Sequence, residues 1–143
     1  MQNDEYDENI YIGARCWQRN MERTLVANEM RRDRARQNDG FGIALDTFYD
    51  RRSALYLSFN PLGARHEGQV TNEGNYSSDW NPVWSVRTKR NHDGWTAEAV
   101  VPFKSIRYQP GLRQIWGFQV QRMKRSTNEL SFLAHPPKAR LMQ

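Results

Sequence analysis

Apolar and polar positions alternate most regularly in two short neighbouring segments, residues 41–49 and residues 55–59. Each segment places mainly apolar or aromatic side chains at every second position, and the polar residues 50–53 separate the two. Alternation with a period of two on both sides of a short polar turn is typical of a β-hairpin. Pro61 and Gly63 end the second strand, because proline cannot donate to a ladder and glycine permits a tight turn. We predict that this hairpin forms the middle of a β-sandwich.

Six further segments have the length and alternation of short strands, with turn-forming residues between them. They are residues 10–17, 64–71, 83–90, 95–101, 115–123 and 128–134. The Asp93-Gly94 pair predicts a tight hairpin turn, since it supplies the positive φ that such turns need. About eight short strands without a long amphipathic helix predict an all-β fold, an antiparallel β-sandwich of two sheets resembling a jelly roll or an immunoglobulin domain.

One of these six segments and several segments between the strands have weaker patterns. Residues 64–71 are polar throughout, which suits a strand at a sheet edge or on the solvent side. Residues 18–22 predict a loop, and residues 24–30 fit either a short strand or the start of a helix. Residues 31–40 have no apolar periodicity and predict an exposed loop. Residues 72–82 are rich in Asn, Ser, Asp and Gly, so they predict a long loop.

Composition narrows the class of protein. The 143 residues suit one domain, which we place over residues 1–143. A mean hydropathy of −0.92 and 26% charged residues exclude a membrane-spanning helix, which needs about 20 apolar residues in a row. No signal peptide is visible at the start of the chain. The net charge is +5, but the basic clusters at 31–36 and 122–125 have acidic neighbours, so we expect solvated rims and no nucleic-acid partner.

The cysteine and three of the tryptophans have positions typical of a core. The single cysteine, Cys16, alternates with apolar residues, which predicts a buried thiol rather than a nucleophile. One cysteine cannot form an internal disulfide. Trp84, Trp95 and Trp116 each fall on an alternating apolar face, so we predict that they pack in the core.

Several longer motifs carry a resemblance to a known family. They are YDENIYIGARC, LDTFYDRR, NPLGA, GWTAEAVVPFKSIRY and WGFQVQR, and they lie between Tyr6 and Ala134. Together they resemble the domain similar to family 9 carbohydrate-binding modules that precedes an outer-membrane-barrel-like region of unknown function in many bacterial proteins. The resemblance implies a β-sandwich of two antiparallel sheets over residues 6–134. It also implies that the chain is a fragment lacking a preceding first strand, which would leave a sheet edge open.

The resemblance implies a function as well. It implies a non-catalytic carbohydrate-binding module of a bacterial envelope protein linked to polysaccharide binding or catabolism, in the periplasm or at the surface of a Gram-negative cell. Its partners would be a polysaccharide or oligosaccharide and the rest of its parent protein. The alternative is a structural domain that binds no sugar and docks on its own outer-membrane barrel or a partner, through the Arg51-Arg52 hairpin tip or the open edge. The carboxylates and histidines show no catalytic arrangement, so we predict no enzyme.

A sugar site needs flat aromatic surfaces and polar side chains that can bond hydroxyl groups. Trp80 lies in a polar loop where no strand pattern requires burial, with Tyr76, Asp79 and Asn81 nearby. These four residues are therefore the predicted carbohydrate site, although a loop tryptophan can also simply cap a sandwich. Trp17, at the end of the first segment, is a second candidate.

Modules of the wider family can hold calcium, which takes several oxygen ligands. Asp33, Asp39 and Asp46 are the candidate ligands for a structural calcium ion. No regular ligand spacing connects them, so solvated turns are the alternative interpretation.

Overall fold

Short strands make up most of the regular structure. The computed structural model describes residues 8–25, 27, 39–72 and 74–133. In chain order the elements are β1 (Asn9–Trp17), α1 (Met21–Thr24), β2 (Gly40–Asp46), β3 (Ala54–Phe59), β4 (Arg65–Thr71), β5 (Asn75–Ser77), β6 (Ser85–Asn91), β7 (Gly94–Pro102), a 3₁₀ turn (Phe103–Ser105), β8 (Gly117–Lys124) and β9 (Glu129–Phe132). No helix in these ranges has the length and apolar character that crossing a bilayer would require.

Two antiparallel sheets contain the described strands. The smaller has the order β1-β7-β6, and the larger has the order β5-β4-β3-β2-β8-β9. The β2–β3 hairpin lies at the centre of the larger sheet, where Phe41 pairs with Phe59 and Ile43 with Leu57. The all-β fold with two antiparallel sheets and the central hairpin are therefore confirmed.

The core lies between the two sheets because alternate side chains of the central strands point to the same side. Its buried members on these strands are Ile43, Leu45, Leu57, Phe59, Trp95, Ala97, Ala99 and Val101. The Trp95 ring meets the Phe59 ring edge-on, with 6.2 Å between centroids. This contact joins β7 of one sheet to β3 of the other, and such pairs contribute about 0.5–1.5 kcal/mol beyond their buried area. Trp84 and Trp95 are buried as predicted, whereas Trp116 is half-buried at the edge of the core.

The thiol of Cys16 is buried, as the alternation in β1 predicted. Burial raises its pKa to about 11, against an opposing effect of the Arg122 guanidinium and with a smaller contribution from the Asp39 carboxylate. At neutral pH the sulfur is thus a protonated thiol and a poor nucleophile.

Strand β4 pairs with the short strand β5 only at residues 69–71, so its prediction as an edge strand holds for residues 65–68 and is wrong for the remainder. It pairs with β3 on one side and β5 on the other. Its Glu67 side chain is only 1% exposed, because it points into the core and accepts a 2.6 Å hydrogen bond from Trp84 Nε1. The Arg65 guanidinium donates to the Trp84 backbone carbonyl. These polar residues occur on the inner face of β4 because Trp84, which directly precedes β6 of the other sheet, provides their partners.

The β2–β3 turn is longer than the predicted residues 50–53. Strand β2 ends at Asp46, whose carboxylate accepts hydrogen bonds from the backbone N–H groups of Asp50 and Arg51. This capping turns the chain early, so Tyr49 lies in the loop with a φ of 51° and an exposed side chain. The Asp50 carboxylate in turn accepts from the N–H groups of Arg52 and Ser53.

Two other loop predictions also need correction. Helix α1 begins inside the predicted loop 18–22, and β5 forms inside the predicted loop 72–82.

Most of the predicted loop 31–40 lies outside the described residues, but Asp39 is 1% exposed. Its carboxylate accepts from the Arg125 backbone N–H at 2.6 Å and from Gln18 Nε2 at 3.3 Å. The half-buried Arg122 donates to Gln18 Oε1, so this basic residue belongs to a buried network and not to a solvated rim.

The β6–β7 hairpin forms in the predicted place, but its two loop residues are His92 and Asp93, and Gly94 is the first residue of β7, opposite Asn91. Gly94 has a φ of 153°, and a Cβ there would collide with the carbonyl oxygen of Cys16 on β1. Glycine is therefore required because the backbones of β1 and β7 approach closely at this point.

Candidate functional site

The outer face of the six-stranded sheet, turned away from the core, carries a row of polar residues across four strands. His66 is opposite Ser58, Ser58 is opposite Gly42, and Gly42 is opposite Gln121. Directly paired residues share a face in an antiparallel sheet, so these groups lie side by side. Tyr56 lies two positions before Ser58 in β3, so its side chain is on the same face.

A cavity of about 360 Å³ lies on this face, and we name it the outer groove. Its lining residues are Gly40, Phe41, Gly42, Tyr56, Ser58, Phe59, His66, Val70, Tyr76, Gln121, Met123, Arg125 and Leu130. They combine two tyrosine rings, hydroxyl, imidazole, amide and guanidinium groups with apolar walls. Such a combination of flat apolar surface and a few polar groups is typical of a small-molecule or oligosaccharide site.

Glycine makes room for the main aromatic side chain of the outer groove. Tyr76 on β5 is opposite Val70, and its ring crosses diagonally over Gly68 on β4. A Cβ at Gly68 would lie 2.6 Å from the ring atoms Cζ and Cε2, so any other residue would displace the ring. An aromatic side chain that covers a cross-strand glycine in this way is held against the sheet. The Tyr76 side chain is nevertheless 46% exposed, which leaves ring surface available for contact.

A buried histidine orients the same tyrosine. His66 is 7% exposed, and its Nε2 lies 2.8 Å from the Tyr76 hydroxyl oxygen. Which of the two groups donates depends on the histidine tautomer. Ser58 Oγ donates to the His66 backbone carbonyl at 3.4 Å. The ring is thus held by packing on one side and by a hydrogen bond at its tip, so it needs little ordering to bind a ligand.

Trp80 belongs to a different cavity. It is half-buried, packs against the core, and lines a cavity of about 510 Å³ at the end of the sandwich. Phe48, Arg52 and Arg107 are among the other residues of this end cavity. Asp79 and Asn81 are exposed but line neither the outer groove nor the end cavity. The structure therefore does not bring the four predicted loop residues together, and of these only Tyr76 lines the outer groove.

Trp17 lies on the opposite side of the molecule. Its side chain is 60% exposed on the outer face of the three-stranded sheet, and the Arg15 guanidinium lies 4.0 Å from its ring centroid. Arg15 also forms an ion pair with Asp93 at 3.5 Å. This cation–π pair covers one face of the indole with a charged group.

Two of the candidate calcium ligands, Asp39 and Asp46, lie far apart. Asp39 and Asp46 flank the two ends of the seven-residue strand β2, about 20 Å apart at the usual rise per residue. The carboxylates of both accept hydrogen bonds from nearby N–H groups. Asp33 lies outside the described residues, and the described residues contain no group of three or more His, Cys, Asp or Glu side chains suited to a metal. A calcium site shared by Asp39 and Asp46 does not fit this geometry.

Sequence reasoning missed most of the outer groove. His66 was interpreted as part of a weak polar strand, and Tyr56, on the side of its strand opposite the apolar residues, was not considered as a site residue. The signal that was available is Tyr56, because a large aromatic side chain on the polar side of a central strand has no core to fill. Gly68, in the middle of a strand, was a second signal of close approach by another group.

The sequence matches no protein-family model, and comparison with curated proteins gives no match. Solved structures with this fold exist. A candidate carbohydrate-binding protein from Bacteroides uniformis matches with a TM-score of 0.65 and 9% identity, over 91% of this chain and 68% of that protein. A family 9 carbohydrate-binding module from Caldicellulosiruptor kristjanssonii in complex with glucose matches with a TM-score of 0.51 and 18% identity, over 88% of this chain and 60% of the module. The same kind of module in complex with cellotriose gives 0.50 and 19%, with 88% and 58% covered.

At these identities the likeness shows the fold alone. The chain has the β-sandwich fold found in family 9 carbohydrate-binding modules, so the predicted resemblance is confirmed for the fold. It spans about three fifths of the length of the two modules.

Proposed function

We propose that this chain is a non-catalytic carbohydrate-binding module and that its ligand binds in the outer groove. The observation that carries the proposal is the Tyr76 ring, which lies over Gly68 beside the buried His66 and keeps nearly half of its surface exposed. A rigid aromatic surface next to hydrogen-bonding groups is what recognition of a pyranose ring requires.

The binding mechanism follows from the lining of the groove. The apolar C–H face of a sugar ring would stack on Tyr76 or Tyr56, and the sugar hydroxyl groups would bond Ser58, Gln121 and the Tyr76 hydroxyl. Hydroxyl and amide groups both donate and accept, so they can match the hydroxyl groups of a sugar in more than one orientation.

Substitution of Tyr76 by alanine tests the site. We expect at least about a tenfold loss of affinity for an oligosaccharide identified in a glycan screen, since buried aromatic anchors contribute most of the energy of such sites. Tyr11 is the matched control, because it is a similarly exposed tyrosine on the outer face of the other sheet. Isothermal titration calorimetry of both variants measures the difference. Equal affinities for Tyr76→Ala, Tyr11→Ala and the parent chain would refute the site.

A second variant separates ring position from ring chemistry. Gly68→Ala keeps Tyr76 in the sequence but would push its ring away from the sheet. We expect weaker glycan binding with little change in thermal stability, because β5 is a three-residue edge strand. Full binding by this variant would show that the seating of the ring on Gly68 does not matter.

Trp80 offers the alternative location for the sugar. In the end cavity its ring lies near Arg52 and Arg107, which could bond hydroxyl groups. Trp80→Phe keeps an aromatic ring in the core and removes the indole N–H, so it tests this cavity with less damage than alanine. If Trp80→Phe abolishes binding while Tyr76→Ala does not, the ligand lies in the end cavity.

The cellular setting completes the proposal. The motif resemblance supports a bacterial envelope protein that handles polysaccharide in the periplasm or at the surface of a Gram-negative cell. Cell fractionation with an antibody against this chain tests the location. Release of the protein with the cytoplasmic fraction alone would contradict it.

Docking without sugar binding is the second candidate function. The observation that favours it is a group of exposed apolar side chains near the start of β8, namely Leu112, Ile115 and Phe118. A pull-down with the remainder of the larger protein tests this surface, using the unsubstituted chain and an Ile115→Asp variant. Retention that is lost in Ile115→Asp, together with no binding in the glycan screen, would favour docking.

A further inference from the structure

A second cavity continues the outer groove along the same face of the sheet. It measures about 540 Å³, and we name it the arginine end. Its lining residues are Ala44, Asp46, Arg51, Arg52, Ser53, Ala54, Tyr56, Val70, Gly117, Phe118 and Gln119. Tyr56 and Val70 line both cavities, so the two adjoin in the middle of the face. The arginine end also adjoins the end cavity, with which it shares Arg52 and Val70 among other residues.

The combined surface is long enough for several sugar rings in a row. Strand β2 runs through it, with Gly40 in the outer groove and Asp46 in the arginine end. A strand of this length spans about 20 Å at the usual rise per residue. The Tyr76 ring covers Gly68, which is paired with Tyr56, so the two tyrosine rings lie side by side near the middle of this surface.

The charges along this surface are mostly positive. Among the described residues, the lining of the two cavities contains three arginines, Arg51, Arg52 and Arg125, and one carboxylate, Asp46. The two oxygens of Asp46 accept hydrogen bonds from the backbone N–H groups of Asp50 and Arg51. Because that carboxylate caps the turn, its capacity to bond a ligand is reduced.

The loop that carries two of these arginines is held in place. Asp46 and Asp50 together accept hydrogen bonds from four successive backbone N–H groups, those of residues 50–53. Arg51 has a φ of 58°, a left-handed conformation that persists only where the surroundings impose it. Its side chain is exposed at the arginine end. A guanidinium on a backbone fixed in this way can form paired hydrogen bonds with a carboxylate or a sulfate.

We infer that the outer groove and the arginine end together bind an extended glycan chain that carries anionic groups, either uronate carboxylates or sulfate esters. The inference rests on the proposed function and specifies its ligand class. Sugar rings stack on Tyr76 and Tyr56, and the anionic groups pair with Arg51 and Arg52 at one end and with Arg125 at the other.

Calorimetry with three oligosaccharides of equal length tests the inference. One is neutral (a cello-oligosaccharide), one carries carboxylates (an oligogalacturonate), and one carries sulfates (a heparin-derived oligosaccharide). We expect at least one of the anionic chains to bind about tenfold tighter than the neutral chain, with an affinity that falls as salt is raised. The comparison between the two anionic chains identifies which group the arginines recognise.

Two variants identify the residues. The double variant Arg51→Gln/Arg52→Gln should lose about tenfold in affinity for the anionic chain while its affinity for the neutral chain stays the same. Arg87→Gln is the matched control, because Arg87 is an exposed arginine on the outer face of the other sheet. It should bind like the parent chain.

The outcomes distinguish this inference from the proposed function. If the neutral chain binds as tightly as both anionic chains, the inference is wrong and the proposed function stands. If anionic binding is lost equally in the double variant and in Arg87→Gln, the attraction is nonspecific and the inference is also wrong. If none of these chains binds and the wider glycan screen is negative, the proposed function itself fails.

Discussion

Replacing Glu67 by alanine should weaken the fold through one identifiable contact, between β4 and Trp84, which directly precedes β6 of the other sheet. Glu67 lies on the inner face of β4, and its carboxylate accepts a 2.6 Å hydrogen bond from Trp84 Nε1. Both side chains are buried, so water cannot replace the lost acceptor. The indole N–H would then be left without its acceptor inside the core.

The magnitude follows from two contributions. An unsatisfied buried donor costs about 1–3 kcal/mol. The space left by the carboxyl arm adds to this, although relief from burying a polar group offsets part of the loss. We expect Glu67→Ala to lower the free energy of unfolding by about 2–4 kcal/mol, a large part of the roughly 5–15 kcal/mol typical of a domain. For a chain of this size that corresponds to a fall in Tm of about 6–12 °C. Glu67→Gln retains a carbonyl acceptor at the same place and should cost about 1 kcal/mol or less.

Urea unfolding followed by tryptophan fluorescence and circular dichroism measures these values. A double-mutant cycle with Trp84→Phe isolates the pair, because phenylalanine removes the N–H that Glu67 accepts. In the Trp84→Phe background, Glu67→Ala should cost about 1–3 kcal/mol less than it does in the parent chain. The reasoning is refuted if Glu67→Gln destabilises as much as Glu67→Ala, or if the cycle shows no coupling.

Three further predictions concern the backbone and the two groups with shifted pKa values. Gly94→Ala should destabilise the fold by more than about 2 kcal/mol in thermal unfolding, because the added Cβ would force β1 and β7 apart. The control is Gly13→Ala on β1, where a Cβ has open space, and it should be nearly neutral. Burial raises the pKa of Cys16 from 9.0 to about 11, so the free energy of unfolding should fall as pH rises between these values, where the thiol ionises in the unfolded chain first. A Cys16→Ala variant should lack that slope. An identical slope in the variant would contradict this prediction. Hydrogen bonds to the Asp50 carboxylate, of which the one from the Arg52 N–H has the largest effect, hold its pKa below 3.8. The NMR amide shift of Arg52 should therefore titrate with a midpoint under 3.8. A midpoint above 3.8 would show that the loop contacts do not form in solution.

Much of the fold could be predicted from the sequence because the signals are local. The hairpin of β2 and β3 follows from alternating side chains on both sides of a polar turn, and the position of the β6–β7 turn follows from the turn-forming residues that end at Gly94. The burial of Cys16 and Trp95 follows from the same alternation. The length of the β2–β3 turn was missed because carboxylate capping by Asp46 competes with strand extension, and the alternation does not reveal which will prevail.

The candidate site was predicted less well. Tyr76 was found because an aromatic residue in a polar segment is unusual, but it was grouped with Trp80 because the two are close in the chain. In the structure they line different cavities, since β5 faces the outer groove while the following loop crosses to the end of the sandwich. His66 and Glu67 were taken for residues of a weak strand, because their polar character could not show that each has a buried partner.

By itself the sequence determined most of the strands, although β5 was missed, and it determined which side of β1, β2, β3 and β7 faces the core, because these properties depend on residues two positions apart in the chain. Only the tertiary structure decided the neighbours across the sheets, which depend on strand order and register. The placement of Tyr76 over Gly68, and of Glu67 against Trp84, joins segments that no local pattern connects. The position of Arg51 beyond Tyr56 along the same face is likewise a result of strand pairing and of the capped turn that follows β2. The chemistry proposed for this protein depends on these non-local neighbours.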